Sequence, residues 1–213
     1  MMHPVYFRPM NAVLLCCVLA FSGCLGSPAK TPAARYYVLN STYGAENKAQ
    51  PVTVLEDTTV GVGPIKLSRV LDRPQIVMRT GENEIRVADL ERWAGPLDEN
   101  VANVMIDNLS VLLPGAEFIK FPWQVSIPIT YQLIMDITRF DGMPGDEAVL
   151  RARWGILSEV GKKVLANKQS VLSEPIQGNT IAEMVSAQSR LLAAFSREIA
   201  EEIKRLEEHG AGR

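Results

Sequence analysis

The sequence predicts an α+β fold: a single domain in which a mixed, largely antiparallel β-sheet carries two amphipathic helices packed on one face. Three observations lead there. Ile129–Phe140 and Ala148–Leu157 alternate apolar and polar residues, and with Lys163–Ser173 behind them they form a three-stranded antiparallel meander with one buried face. Two other stretches, from Leu97 and from Ile181, repeat apolar residues at the helical spacing of about 3.6. The whole chain has 213 residues, 47% of them apolar and 22% charged, which suits one globular domain and excludes collagen-like, coiled-coil or mostly disordered chains.

The first element is not part of that domain. Met1–Met10 carries Arg8 and no acid, and Ala12–Phe21 is an apolar run of ten residues. A bilayer core about 30 Å thick needs roughly 20 apolar residues in a helix, so this run reads as a secretory signal peptide over residues 1–23. Phe21-Ser22-Gly23-Cys24 resembles the bacterial lipobox, with Phe21 where Leu is usual. Cys24 is then the lipidation site and the mature N-terminus. The competing reading is an ordinary signal peptide beside an incidental cysteine. Cys16 and Cys17 leave with the leader, so processing leaves one blocked sulfur and no partner for an intramolecular disulfide. Leu25, where an Asp would signal inner-membrane retention, resembles an outer-membrane address. Residues 24–34 form a lipidated N-terminus and flexible tether, the small, proline-containing stretch Leu25–Ala34 spanning at most about 35 Å.

The folded domain is expected over residues 35–207, with 208–213 a frayed tail. Arg35–Leu39 is the first strand and Thr59–Leu67 the second, its glycines marking a bulge or a close backbone approach. Gln75–Thr80, the turn at Gly81-Glu82-Asn83 and a short return strand at Glu84–Val87 make a hairpin. Gly95-Pro96 opens a helix with Asp98 and Glu99 in its first turn, Pro96 at the first helical position, and Pro114-Gly115 closes it. A short strand at Glu117–Phe121 precedes the meander. Thr180-Ile181-Ala182-Glu183 is a capping box for the last helix.

Little in the chain suits catalysis. The only histidines are His3, in the leader, and His209, in the tail, so no histidine-based triad fits the core. One blocked cysteine offers no zinc site. Gly61-Val62-Gly63 lacks the rest of a phosphate loop and reads as structural. Asp136 and Asp141 could be posed as an acid pair, but five residues apart on a strand they should face opposite ways. We expect no enzyme, no cofactor and no metal. With 22 basic against 24 acidic residues, a phosphate-tracking nucleic-acid binder is excluded as well.

One local feature is uneven. Arg69, Arg73, Arg79, Arg86 and Arg92 fall among Asp72, Glu82, Glu84, Asp89 and Glu91. Either these charges pair with one another on a solvated hairpin, or arginine beside Trp93 makes a partner-binding face.

The order of RYYVL, VGVGPIKLSRVLDRPQIVMR, RWAGPLDENVANVMIDNL, YQLIMDITRFDG and RARW resembles the ABC-type transport auxiliary lipoprotein family over residues 35 to about 205. LDRPQIV (Leu71–Val77) and RWAGPL (Arg92–Leu97) are the most specific blocks. The resemblance implies an outer-membrane-anchored periplasmic lipoprotein serving as adaptor to an MCE-domain (mammalian-cell-entry) lipid transporter that supports envelope integrity. It implies no catalytic residues, and it leaves homo-oligomerisation open. Arg73, Pro74, Arg92 and Trp93 are the candidate partner-binding residues. The alternative function is a periplasmic carrier that holds a lipid or other apolar ligand in a cavity between sheet and helices.

Cys24→Ala is expected to shift the protein from the membrane to the soluble periplasmic fraction, or to leave it unprocessed, with its fold intact. Envelope fractionation reads the change, and unaltered membrane partition of the variant would refute the anchor.

Overall fold

The computed structural model describes Met2 and residues 32–43, 50–124, 126–158 and 163–210; the leader and Cys24 lie outside these residues. The described elements run β1 (Arg35–Tyr37), β2 (Thr59–Leu67), β3 (Gln75–Arg79), β4 (Ile85–Trp93), α1 (Leu97–Leu112), β5 (Glu117–Lys120), β6 (Tyr131–Gly142), β7 (Glu147–Ser158), β8 (Lys163–Pro175) and α2 (Ile181–Glu208). They make an α+β domain with two helices, as the patterning predicts. The strands, however, divide into two sheets, a five-stranded one in the order β5-β2-β6-β7-β8 and a three-stranded one in the order β1-β4-β3.

The large sheet is mixed. β2 runs parallel to β5 and β6, and β6, β7 and β8 form the antiparallel meander. Its helix-covered face follows from the alternation: Tyr131, Leu133, Met135 and Ile137 on β6 and Ala148, Leu150, Ala152, Trp154 and Ile156 on β7 are all buried. Against them α2 sets Met184, Leu191, Leu192, Phe195, Ile199 and Ile203, each completely buried. Trp154 and Phe195 meet edge to face with ring centroids 6.1 Å apart, a favoured geometry for aromatic quadrupoles. The indole N–H of Trp154 donates to Ser170 Oγ at 2.8 Å, so the buried ring leaves no polar atom unpaired. Among the described residues these side chains pack against one another beneath the helices.

Polar groups inside this core orient the helices. Asn108 on α1, wholly buried, donates to Ser196 Oγ on α2 at 3.2 Å and accepts from Ser41 at 2.6 Å. The capping box at Thr180 and Glu183 is formed in both directions. On α1, Pro96 stands one position earlier than expected, at the N-cap itself, and Leu97 begins the helix.

Two further expectations need correction. The return strand of the hairpin extends from Ile85 to Trp93, well past Val87, because β1 lies alongside its second half and supplies hydrogen-bond partners there. Asp136 and Asp141 share one face of the large sheet. A register shift between Ile137 and Arg139 adds one residue to β6 and reverses the alternation beyond it, so Asp136 lies opposite Arg153 and Asp141 opposite Val149.

Near the C-terminal end of α2 the buried Glu202 carboxylate takes hydrogen bonds from Arg205 and from Lys168 Nζ at 2.7 Å. Chiefly through Arg205, and also through Lys168, its pKa is pulled down to about 2. An unfolded Glu titrates near 4.3, so this ion pair stabilises the fold fully above that pH and progressively less as pH falls from about 4.3 to about 2. Glu202→Gln is expected to cost about 1–3 kcal/mol at pH 7. Urea unfolding should show the deficit narrowing at pH 3; a deficit unchanged with pH would mean that packing, not charge, is what the substitution removes.

Candidate functional site

The small sheet brings together segments that are far apart in sequence. β4 is its centre, with β1 parallel on one side and β3 antiparallel on the other. Arg92 has Tyr36 as its register partner on β1 and Gln75 on β3, so one row crosses all three strands. The loop before β3 is wound tightly: Leu71 N–H and Asp72 N–H both donate to the Ser68 carbonyl, at 2.8 and 3.0 Å, and Arg73 N–H donates to Leu71 O at 2.8 Å. Ser68 N–H in turn donates to Ile137 O of the large sheet at 3.0 Å. Leu71, 3% exposed, anchors the loop in the core.

Pro74 has no N–H to offer, but its carbonyl accepts from Trp93 N–H at 2.8 Å. Ala94 N–H then donates to Tyr37 O at 2.9 Å. RYY, LDRPQ and RWA are thereby tied at one corner of the domain. The chain leaving β1 is held in turn by Asn100 on α1, which accepts from Leu39 N–H at 2.8 Å and donates to Leu39 O at 3.2 Å. A side-chain amide here does the work of a neighbouring strand.

The four candidate residues do not share one role. Trp93 is 5% exposed and belongs to the core, so its indole offers no docking anchor; the tryptophan that seemed to accompany the arginines lies beneath them. Pro74 is exposed, as are Tyr36 at 65% and Val70. Arg73 and Arg92 are half-buried, and the Nε of each is buried without a hydrogen-bond partner among the described residues. A guanidinium N–H withdrawn from water without an acceptor carries a desolvation cost that an incoming carboxylate or carbonyl would relieve.

Nor do the hairpin's charges pair with one another. Of its five arginines, only Arg79 forms an ion pair among the described residues, and its partner is Asp141 on β6. Glu91 is taken by Arg35 of β1, which holds the Glu91 carboxyl below the usual carboxylate range. Arg69, Arg73, Arg86 and Arg92 make no ion pair among the described residues.

The rest of the domain does not gather a reactive cluster. Asp136 pairs with Arg153 at 2.7 Å, and Asp141, 4% exposed, accepts from Arg79 and from Arg139. Each carboxylate is committed to arginine, and four register positions on β7 separate their partners. Among the described residues no three His, Cys, Asp or Glu side chains come close enough to hold a metal ion, and no helix is long and apolar enough to cross a membrane. The glycines of β2 serve close packing. A Cβ on Gly61 would come within 2.8 Å of the Trp123 ring, and Gly63, at φ 120°, would set one 2.7 Å from Phe121 Cβ.

Comparison with known proteins gives the fold and the family pattern. A family model described as ABC-type transport auxiliary lipoprotein component matches residues 37–200. The intermembrane transport lipoproteins PqiC of Escherichia coli K12 and of Shigella flexneri are each 27% identical over 135 residues, covering 62% of this chain and 67% of theirs. Among solved structures, an uncharacterised protein superposes with a TM-score of 0.67 at 22% identity, covering 81% of this chain and 99% of that one. Protein XCC0632 of Xanthomonas campestris superposes with a TM-score of 0.61 at 17% identity, covering 85% and 98%. These two are similar in fold.

The corner makes opposite predictions for adjacent residues. Trp93→Ala is expected to destabilise the domain by about 3–5 kcal/mol, the usual cost of emptying an aromatic core position. Arg92→Glu, at a half-exposed site without an ion-pair partner, should shift stability by less than about 1 kcal/mol. Urea unfolding of both variants checks this, and a large loss for Arg92→Glu would make the arginine structural.

Proposed function

The chain belongs to the family of ABC-type transport auxiliary lipoprotein components, and from that premise we propose that it acts as the outer-membrane-anchored adaptor of an MCE-domain lipid transporter. In this reading Cys24 carries the lipid anchor, and the domain stands in the periplasm at the end of a short tether. Its partner is a PqiB-like MCE protein, which conducts the lipid while this chain docks it to the outer membrane and so supports envelope integrity.

One observation carries the proposal: the two most specific motif blocks are joined by the hydrogen bond from Trp93 N–H to the Pro74 carbonyl, which brings to one corner Arg73 and Arg92, each with a buried Nε that has no hydrogen-bond partner among the described residues. Exposed Pro74 and Tyr36 frame them with apolar surface. Arginine flanked by aromatic and prolyl surface is the composition of protein interfaces, where bidentate donors meet carboxylates or carbonyls at the rim of an apolar contact. Trp93 contributes from below, by fixing the backbone on which Arg92 stands.

Affinity capture of the native lipoprotein from crosslinked envelopes is expected to recover an MCE protein. The double variant Arg73→Glu, Arg92→Glu should lower that recovery at least tenfold with little change in melting temperature. Repeated capture without any MCE protein would overturn the adaptor reading. Undiminished capture by the variant would move the docking surface elsewhere.

A further inference from the structure

The large sheet has a second face, away from the helices, and the residues on it form rows across the strands. Lys66, Asp136 and Arg153 make one row on β2, β6 and β7. The next row, two residues along, is Ile134, Gly155 and Asn167 on β6, β7 and β8, and beyond it lie Leu157 and Val164. Gly155 leaves the middle row without a side chain at its centre. A Cβ there would lie 3.1 Å from the Ala166 carbonyl and 3.7 Å from Ile134 Cγ1, so the floor at this point is bare backbone.

The result is an open groove of about 310 Å³ running from Pro64 on β2 to Asn167 on β8. It crosses four strands, which at about 4.8 Å per spacing makes it about 14 Å long. Its rims are the neighbouring rows, and its floor is lowest at Gly155, with the side chains of Ile134 and Asn167 on either side in the same row. One rim is charged. The other is apolar, with Val164 63% exposed. On the charged rim Arg153 and Asp136 neutralise each other at 2.7 Å. Lys66, exposed at the β2 end, makes no ion pair among the described residues.

The geometry points to a binding site for a single acyl chain that ends in an anionic head, a carboxylate or a phosphate. The chain lies across the strands over Gly155, between Ile134 and Val164, and Lys66 meets the head. A groove of about 310 Å³ with an apolar wall suits one polymethylene chain rather than two. The unpaired cation at one end selects the charge and the direction in which the chain lies. This site is independent of the docking reading, since no residue of the Arg73–Arg92 corner lines it.

The test uses the full-length protein in lipid nanodiscs and a diazirine-bearing palmitate, with the crosslinked peptides identified by mass spectrometry. Labelling is expected on peptides containing Ile134, Leu157 and Val164. Unlabelled palmitate and lysophosphatidate should both compete if the anionic head is what is recognised, and their ratio tells carboxylate from phosphate. Shortening the competitor should weaken it by about fourfold per methylene removed once the chain no longer fills the groove. Val164→Glu, at an exposed position, should lower labelling at least tenfold. Lys66→Glu should lower it about tenfold for palmitate and leave labelling by the corresponding neutral alcohol unchanged. Labelling confined to other peptides, or undiminished in Val164→Glu with an unchanged melting temperature, would overturn the site. Hexadecanol or a two-chain phosphatidylglycerol competing as well as palmitate would overturn the assignment of an anionic head or of a single chain, respectively.

Discussion

Burial of one face of the β6-β7-β8 meander beneath the 28-residue α2 is the constraint on which the rest of the domain depends. The strands are long, and covering one face leaves part of the other open, from Lys66 on β2 to Val164 on β8. Trp154 shows how completely the covered face is used: its ring packs on Phe195, its N–H reaches Ser170, and Lys168 sits over the ring at 5.8 Å while pairing with Glu202 of the helix. One helix is too narrow for five strands, and α1 covers the β2 and β5 side. The buried Asn108–Ser196 hydrogen bond then sets how the two helices lie against each other, because a slip along either axis would leave a buried amide without its partner.

The small sheet solves a different problem. β4 is flanked by a three-residue β1 and a five-residue β3, too little to hold a sheet by itself. Its stability comes from side chains it sends into the shared core, Trp93, Met78, Ile76 and Leu71 among them. That dependence places a core tryptophan next to a surface arginine in the sequence. The adjacency reads as an interface motif until the alternation along β4 is known, and it explains why Arg92 and Trp93 part company in the structure.

Elements with strong periodicity were readable from the sequence almost to the residue: β7 and the capped start of α2 lie where alternation and the Thr180–Glu183 pair place them, and β2 keeps the bounds Thr59–Leu67 read for it as a glycine-marked strand. What the patterning missed is non-local. The second half of β4, with Asp89 and Glu91 among its residues, is a poor strand by propensity and exists because β1, some fifty residues earlier, pairs with it. The extra residue in β6 that turns Asp141 to the side of Asp136 has no local signature, since Thr138 and Arg139 fit either face. At the corner, the sequence put Arg73 and Arg92 in the blocks that carry the family resemblance, but did not show the hydrogen bond between Trp93 and Pro74 that joins those blocks. The interleaved acids pointed to self-pairing, and only the structure shows Glu91 turned toward Arg35 and the other acids of the hairpin outside any ion pair among the described residues.

Asp141 connects these parts mechanically. It is buried on the large sheet and accepts from Arg139 of its own strand at 2.8 Å and from Arg79 of β3 at 3.3 Å. One carboxylate between two guanidiniums, one from each sheet, is a directional joint: removing the acid would leave two partly buried cations facing each other, and rotating one sheet against the other would break a charge-assisted hydrogen bond in a poorly solvated place. The second tie, Ser68 N–H to Ile137 O, fixes the loop that carries Arg73 to the same strand, β6. The loop that holds Arg73 and the sheet face that holds the groove are therefore both tied to β6, one by hydrogen bonds and the other by its own residues. A protein docked at the corner and a chain lying in the groove would be presented to each other in one geometry, and rigidity of this kind is what the proposed adaptor role asks of the domain.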